Sequence, residues 1–158
     1  TGDVKGAYDS LIELVRVDSQ NAYSYYSRLA TIAVAHSDEP MRIRALMGMV
    51  ESDPKDLESV ATLVVWHQQR GEWAKAMTWL ESGLEMDSSN GHLLLLKGDS
   101  LVREGDEENA IKIFERARAN PDWEKVAQQR IWQLRPPETE EEKLKREFFG
   151  GGAAEEKN

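Results

Sequence analysis

Apolar residues along this chain recur three and four apart in short blocks, and polar, turn-forming stretches separate the blocks. Ala7, Leu11, Leu14 and Val15 fall on one helical face, as do Ala76, Leu80, Gly83 and Leu84, and again Ala110, Phe114 and Ala117. The spacing predicts helices over 3–17, 23–36, 39–52, 57–70, 73–86, 91–104, 107–119 and 123–134, with no strand. Leu63, Ala76, Leu80, Ala110, Phe114 and Ala117 form the expected core. The run Leu93-Leu94-Leu95-Leu96 covers every side of its helix. Some of it is therefore expected to face the groove, where its burial needs a ligand or another segment.

The blocks repeat. Gly71-Glu72-Trp73-Ala74-Lys75-Ala76 returns 34 residues later as Gly105-Asp106-Glu107-Glu108-Asn109-Ala110, and Ser37-Asp38 stands 34 residues before Gly71-Glu72. An independent marker keeps nearly the same period: Asp18-Ser19-Gln20-Asn21, Asp53-Pro54-Lys55-Asp56, Asp87-Ser88-Ser89-Asn90 and Asn120-Pro121-Asp122. Two interleaved markers of one period define a structural repeat. Each unit reads as two helices. A small residue in the tight turn permits a left-handed exit from the first helix, and the acidic residue after it can cap the second. Pro40, in the first turn after Asp38, agrees with that reading.

This pattern resembles the tetratricopeptide repeat over residues 2 to 124. The match is best in unit 91–124, through Gly98, Gly105, Ala110, Phe114 and Ala117. Unit 57–90 keeps Leu63, Gly71, Ala76 and Leu80, but has Val64 where the family has a small residue and Ser88 where Pro is common. Unit 23–56 keeps Leu29, Ala30, Asp53 and Pro54 but places Arg42 at a small-residue position, so its second helix is expected to pack less closely. Residues 2–21 match the second half of a unit. Residues 122–134, with Trp123, Val126, Ile131, Trp132 and Leu134, form an expected capping helix. The organisation is then a repeat region over 1–134 and an acidic tail over 135–158. The resemblance implies an all-α fold, antiparallel helix pairs stacked as a right-handed superhelical solenoid.

By the same resemblance the function is that of a protein-interaction scaffold, holding a peptide or helix of a partner in a concave groove. A structural module that self-assembles into homo-oligomers is the alternative. The groove positions would be Ser24, Ser27, Thr31, Val34 and Ala35, then Glu58, Ala61, Val65, Gln68 and Gln69, then His92, Leu95, Asp99, Val102 and Arg103. Val65, Gln69, Leu95, Asp99, Val102 and Arg103 are the expected partner-binding residues. Family members that clamp the terminal carboxylate of chaperones use Lys, Asn and Arg; the corresponding places here hold Ala61, Val65, His92 and Leu96. A partner with apolar anchors fits better.

Composition narrows the chemistry. The chain has 158 residues and a formal net charge of −9. That balance repels nucleic acid and anionic lipid, and no basic patch with interleaved aromatics occurs. With no cysteine, disulfide frameworks, thiolate metal sites and thiol nucleophiles are excluded. None of His36, His67 and His92 stands at metal-ligand spacing. No nucleotide-binding glycine loop is present, so neither an enzyme nor a cofactor or metal is expected. His67, Trp73 and Trp79 read as packed residues, whereas Trp66 is open to two roles, packing or ligand anchor. No apolar run reaches the ~20 residues of a membrane helix. Thr1 reads as a cut or processed end, which leaves an upstream membrane anchor open. In the tail, a short helix over 138–149 would align Leu144 and Phe148, with Phe149 beside them. That stripe is a candidate for self-association, and the last nine residues are expected to be disordered.

Overall fold

The computed structural model describes residues 3–149. The expected disorder of the last nine residues falls outside that range. Among the described residues nine α-helices and no strand are found: α1 Val4–Val17, α2 Ala22–Ala35, α3 Glu39–Ser52, α4 Leu57–Gln69, α5 Trp73–Met86, α6 Gly91–Glu104, α7 Glu107–Arg118, α8 Glu124–Leu134 and α9 Glu140–Phe149. Helices α2–α3, α4–α5 and α6–α7 are antiparallel pairs; α1 packs on α2, and α8 on α7. The fold is an all-α repeat solenoid of right-handed superhelical stacking.

The turns within the pairs share one device. Ser37, Gly71 and Gly105 have φ of 55°, 72° and 83°, the left-handed exit that ends a helix. Two of the three are glycine, and Ser37 carries the steric cost of its Cβ there. The next residue starts the following helix. The carboxylates of Asp38 and Asp106 accept from the backbone N–H of Met41 and Asn109 at 3.0 and 3.2 Å. Glu72 departs from this scheme: it makes no cap, and its carboxylate pairs with His67 Nδ1 at 2.7 Å and Lys75 Nζ at 3.4 Å. The longer side chain reaches past the helix end to the neighbouring helix. Helices α4 and α6 are capped from the other linkers, Asp56 accepting from Ser59 N–H and Asn90 from Leu93 N–H, whereas Asn21 before α2 makes no side-chain cap.

The interior divides by unit. Tyr8, Leu11, Leu29, Ala33 and Ala45 form one cluster; Ile43, Leu46, Val60, Leu63, Val64, Ala76 and Leu80 a second; Leu94, Leu95, Ala110, Phe114, Ala117, Ala127 and Ile131 a third. All six expected core residues are at most 1% exposed. Small residues set the approach of paired helices: a Cβ on Gly98 would stand within 2.7 Å of three ring carbons of Phe114.

Two expectations are corrected here. The second helix of unit 23–56 does not pack less closely. On α3 the stripe facing α2 is Met41, Ala45 and Gly48, one residue out of step with the repeat. Tyr26 covers Gly48 so closely that a Cβ there would lie 2.5 Å or less from its ring. The one-residue rotation carries Arg42 out of the interface, to an exposed position. The leucine run of α6 likewise does not leave a groove face uncovered. Leu93, Leu94 and Leu95 are all buried and Leu96 is half-buried. Helix α6 lies inside the stack, with Leu93 and Leu96 in the cluster of the preceding unit and Leu94 and Leu95 in the cluster shared with α7 and α8.

Helix α9 begins with a capping box. Thr139 Oγ1 accepts from Glu142 N–H at 3.2 Å, and Glu142 Oε2 accepts from Thr139 N–H at 2.8 Å. Its residues from Glu140 to Phe148 are exposed, Leu144 at 52% and Phe148 at 78%. The Phe149 side chain falls outside the described residues.

Candidate functional site

First helices α2, α4 and α6 line one face of the solenoid, and two adjoining clefts open there. The larger, about 460 Å³, lies between α2 and α4. Tyr23, Ser27, Thr31 and Val34 form one wall, Glu58 and Thr62 the other, and Leu46 and Met49 of α3 the floor. The smaller, about 250 Å³, is lined by Ala61, Val65, Trp66 and Gln69 of α4, Glu39 and Ile43 of α3, and His92 of α6. Arg42 and Thr62 line both clefts and so stand at the border between them; the adjoining pair is the channel.

Of the six expected partner-binding residues, the channel brings together Val65 and Gln69. The other four are engaged within the fold. Leu95 is 5% exposed, in the core cluster with Ala110 and Phe114, and offers no surface to a partner. Val102 packs half-buried against the same cluster. Asp99 accepts from Arg130 Nε of α8 at 2.9 Å. The Arg103 guanidinium stands 4.4 Å from the ring centroid of Trp73. Repeat position would leave these side chains on the groove, but Arg130 of α8, Trp73 of α5 and the apolar cluster shared with α7 and α8 engage them. A sequence reading that assigns positions by repeat register cannot see which helix the cap occludes.

Arg42 was missed as a lining residue because repeat register put it inside a helix pair; the signal was its charge at a position that normally tolerates none. Trp66 packs within the fold and also borders a cleft. It lines the smaller cleft, meets His67 edge-on at a centroid distance of 4.8 Å, and lies under the Arg70 guanidinium at 4.8 Å. Its Nε1 is buried without a hydrogen-bond partner among the described residues. His67, read as a packed residue, is 6% exposed.

His92, at the edge of the smaller cleft, stacks on Trp123 with ring centroids 4.6 Å apart and planes 11° from parallel. Burial pushes its pKa below the ordinary value, and the nearby Glu58 carboxylate opposes that shift. Burial thereby favours the uncharged ring over the imidazolium. Among the described residues no three His, Asp or Glu side chains converge as a metal site. No described helix is long and apolar enough to cross a membrane.

A solenoid of short antiparallel helix pairs, with a lined inner channel, is the architecture of tetratricopeptide-type repeat proteins. Among solved structures, the crystal structure of MamA superposes with a TM-score of 0.62 at 18% identity, covering 84% of this chain and 77% of that one. A second crystal structure of MamA protein gives a TM-score of 0.55 at 18% identity, covering 79% of this chain and 68% of the other. Likeness at that identity concerns the fold. No family model matches the sequence, and no curated protein matches it.

Proposed function

We propose that this chain is a protein-interaction scaffold, rather than a catalyst, and that it holds an extended or helical segment of a partner in the channel between α2, α4 and α6. One observation carries the reading: two clefts adjoin across Arg42 and Thr62 on the face of the first helices, each with apolar side chains and a mixed rim. A row of pockets arranged in this way suits a peptide with side chains at regular spacing. Leu46, Met49, Ile43 and Val65 offer seats for apolar anchors, and Thr31, Thr62 and Gln69 offer hydrogen bonds. Val65 and Gln69 form the centre of the proposed site. Asp99, Val102 and Arg103 line neither cleft, and a partner reaching them would compete with Arg130 for Asp99 and with Trp73 for Arg103. Leu95 is not part of it.

The test is selection of peptides from a random display library on the full chain, followed by affinity measurement on variants. Val65→Asp together with Thr31→Asp places charge on both clefts without entering the core clusters. Bound peptides are expected to lose at least about tenfold in affinity, since one buried anchor is worth ~1.5–3 kcal/mol. Unaltered affinity of every selected peptide would place binding elsewhere and end this reading.

A further inference from the structure

A third cleft adjoins the channel, sharing Ile43 and Trp66 with its smaller cleft. Ile43 and Met47 of α3, Trp66 and His67 of α4, and Lys75, Thr78 and Trp79 of α5 enclose about 440 Å³. Its walls are the aliphatic and aromatic faces of these side chains, and Met47 is 39% exposed on its rim. No carboxylate lines it, in a chain with 29 acidic residues; its one lysine, Lys75, is exposed and shares its charge with Glu72 Oε2 at 3.4 Å. The channel clefts differ in this respect, carrying Asp56 and Glu58 or Glu39.

Helix α9 has the complementary surface. Leu144 and Phe148 stand four apart, so they form one stripe on the helix, and both are exposed. Glu140 lies on the same face one turn before Leu144. Segment 138–149 has five acidic and three basic side chains, a net charge of −2. A ten-residue helix is marginal in water without a surface to order it. Its own fold provides none, because every side chain described on α9 is exposed.

We propose that α9 of one molecule docks in the α3–α4–α5 cleft of a second copy, with Phe148 and Leu144 entering between Met47, Trp66 and Trp79 and the acidic turn lying toward Lys75. The exchange is reciprocal. One ten-residue helix laid in a cleft is a small contact, and two related by symmetry double the buried area toward the roughly 1,200–2,000 Å² of a stable interface. A two-fold dimer supplies both at once. The cleft shares Ile43 and Trp66 with the channel, but Met47, Lys75, Thr78 and Trp79 line no part of the channel, so substitutions at Met47 and Thr78 test this proposal apart from the scaffold reading.

Light scattering on the full chain across concentration, with three variants, tests it. The wild type is expected to pass from monomer to dimer as concentration rises. Leu144→Asp with Phe148→Asp, on a helix that joins none of the core clusters, should weaken dimerisation at least about 100-fold. Met47→Glu on the cleft rim should do the same, and Thr78→Glu, on an exposed position of α5, guards against a loss caused by misfolding of the first cleft variant. Circular dichroism checks that each keeps its helicity. Mixing the tail variant with the Met47 variant restores one of the two contacts, so a weak heterodimer should form where neither variant self-associates. A wild type monomeric at all concentrations overturns the proposal. So does a dimer that loses stability with the tail variant but not with either cleft variant, or protection of α9 from amide exchange in the monomer, which would mean docking on its own chain.

Discussion

Gly98→Ala is the sharpest test of the packing argument, because two effects oppose one another at that position. Alanine is the better helix former by about 1 kcal/mol, so a helix considered alone would gain stability. The fold demands the reverse. The new methyl carbon would stand 2.7 Å or less from three ring carbons of Phe114, where contact distances are about 3.5–4.0 Å. Phe114 is fully buried, between Ala110, Ala117 and the leucines of α6, and has no free space to turn into. Overpacking costs ~1–3 kcal/mol, and a clash with a ring locked on all sides belongs at the upper end. Offset by the propensity gain, the net loss is about 2 kcal/mol. For a chain of this size that lowers Tm by roughly 4–8 °C in thermal unfolding followed by circular dichroism. Phe114→Leu makes room for the methyl, so the double variant should be less destabilised than the sum of the two singles. Gly105→Ala is the contrasting case: nothing lies within 4 Å of its Cβ position and φ is +83°, so its loss of ~1–2 kcal/mol is of backbone origin and independent of Phe114. A Tm for Gly98→Ala equal to or above wild type would refute the close approach of α6 and α7.

Ser37→Gly removes Cβ strain at φ 55° and, after the chain entropy glycine adds, should stabilise by ~0.5–1 kcal/mol in denaturant titration. Asn90→Ala deletes the hydrogen bond to Leu93 N–H at 3.0 Å and should cost ~1 kcal/mol, read as a lower midpoint with unchanged slope. Acid should destabilise the fold in two stages. His92 is held below its ordinary value of 6.5 by burial, so the unfolded chain takes up the proton first and stability declines as pH falls below 6.5. Asp106 and Asp87, hydrogen-bonded by Asn109 and Ser89, and Glu72, hydrogen-bonded by His67, are lowered from 3.8, 3.8 and 4.5, so their contribution is present above those values and fades as pH falls through them. Thermal melts between pH 7 and 3 check both, and His92→Gln should remove the first decline while leaving the second.

The period of 34, the turn residues and the helical spacing of small and large apolar residues determined the helices and their pairing without reference to any long-range contact. That information is local: Gly105, Asp106 and Ala110 act through the turn and the helix they belong to, and the repeat copies them in register. The core was legible for the same reason, since Ala110, Phe114 and Ala117 must face the partner helix wherever the pair forms. What tertiary structure alone decided is where neighbouring units depart from the repeat. Register placed Arg42 inside a helix pair; a one-residue rotation of α3, stabilised by Tyr26 over Gly48, puts it in the channel instead. Position placed Leu95, Asp99 and Arg103 in the groove; α8 and α5 take them first, through the apolar cluster, Arg130 and Trp73. Repeat position fixes the side of a helix on which a residue sits. Whether that side meets solvent or another helix depends on the stacking of the units, which no single unit encodes.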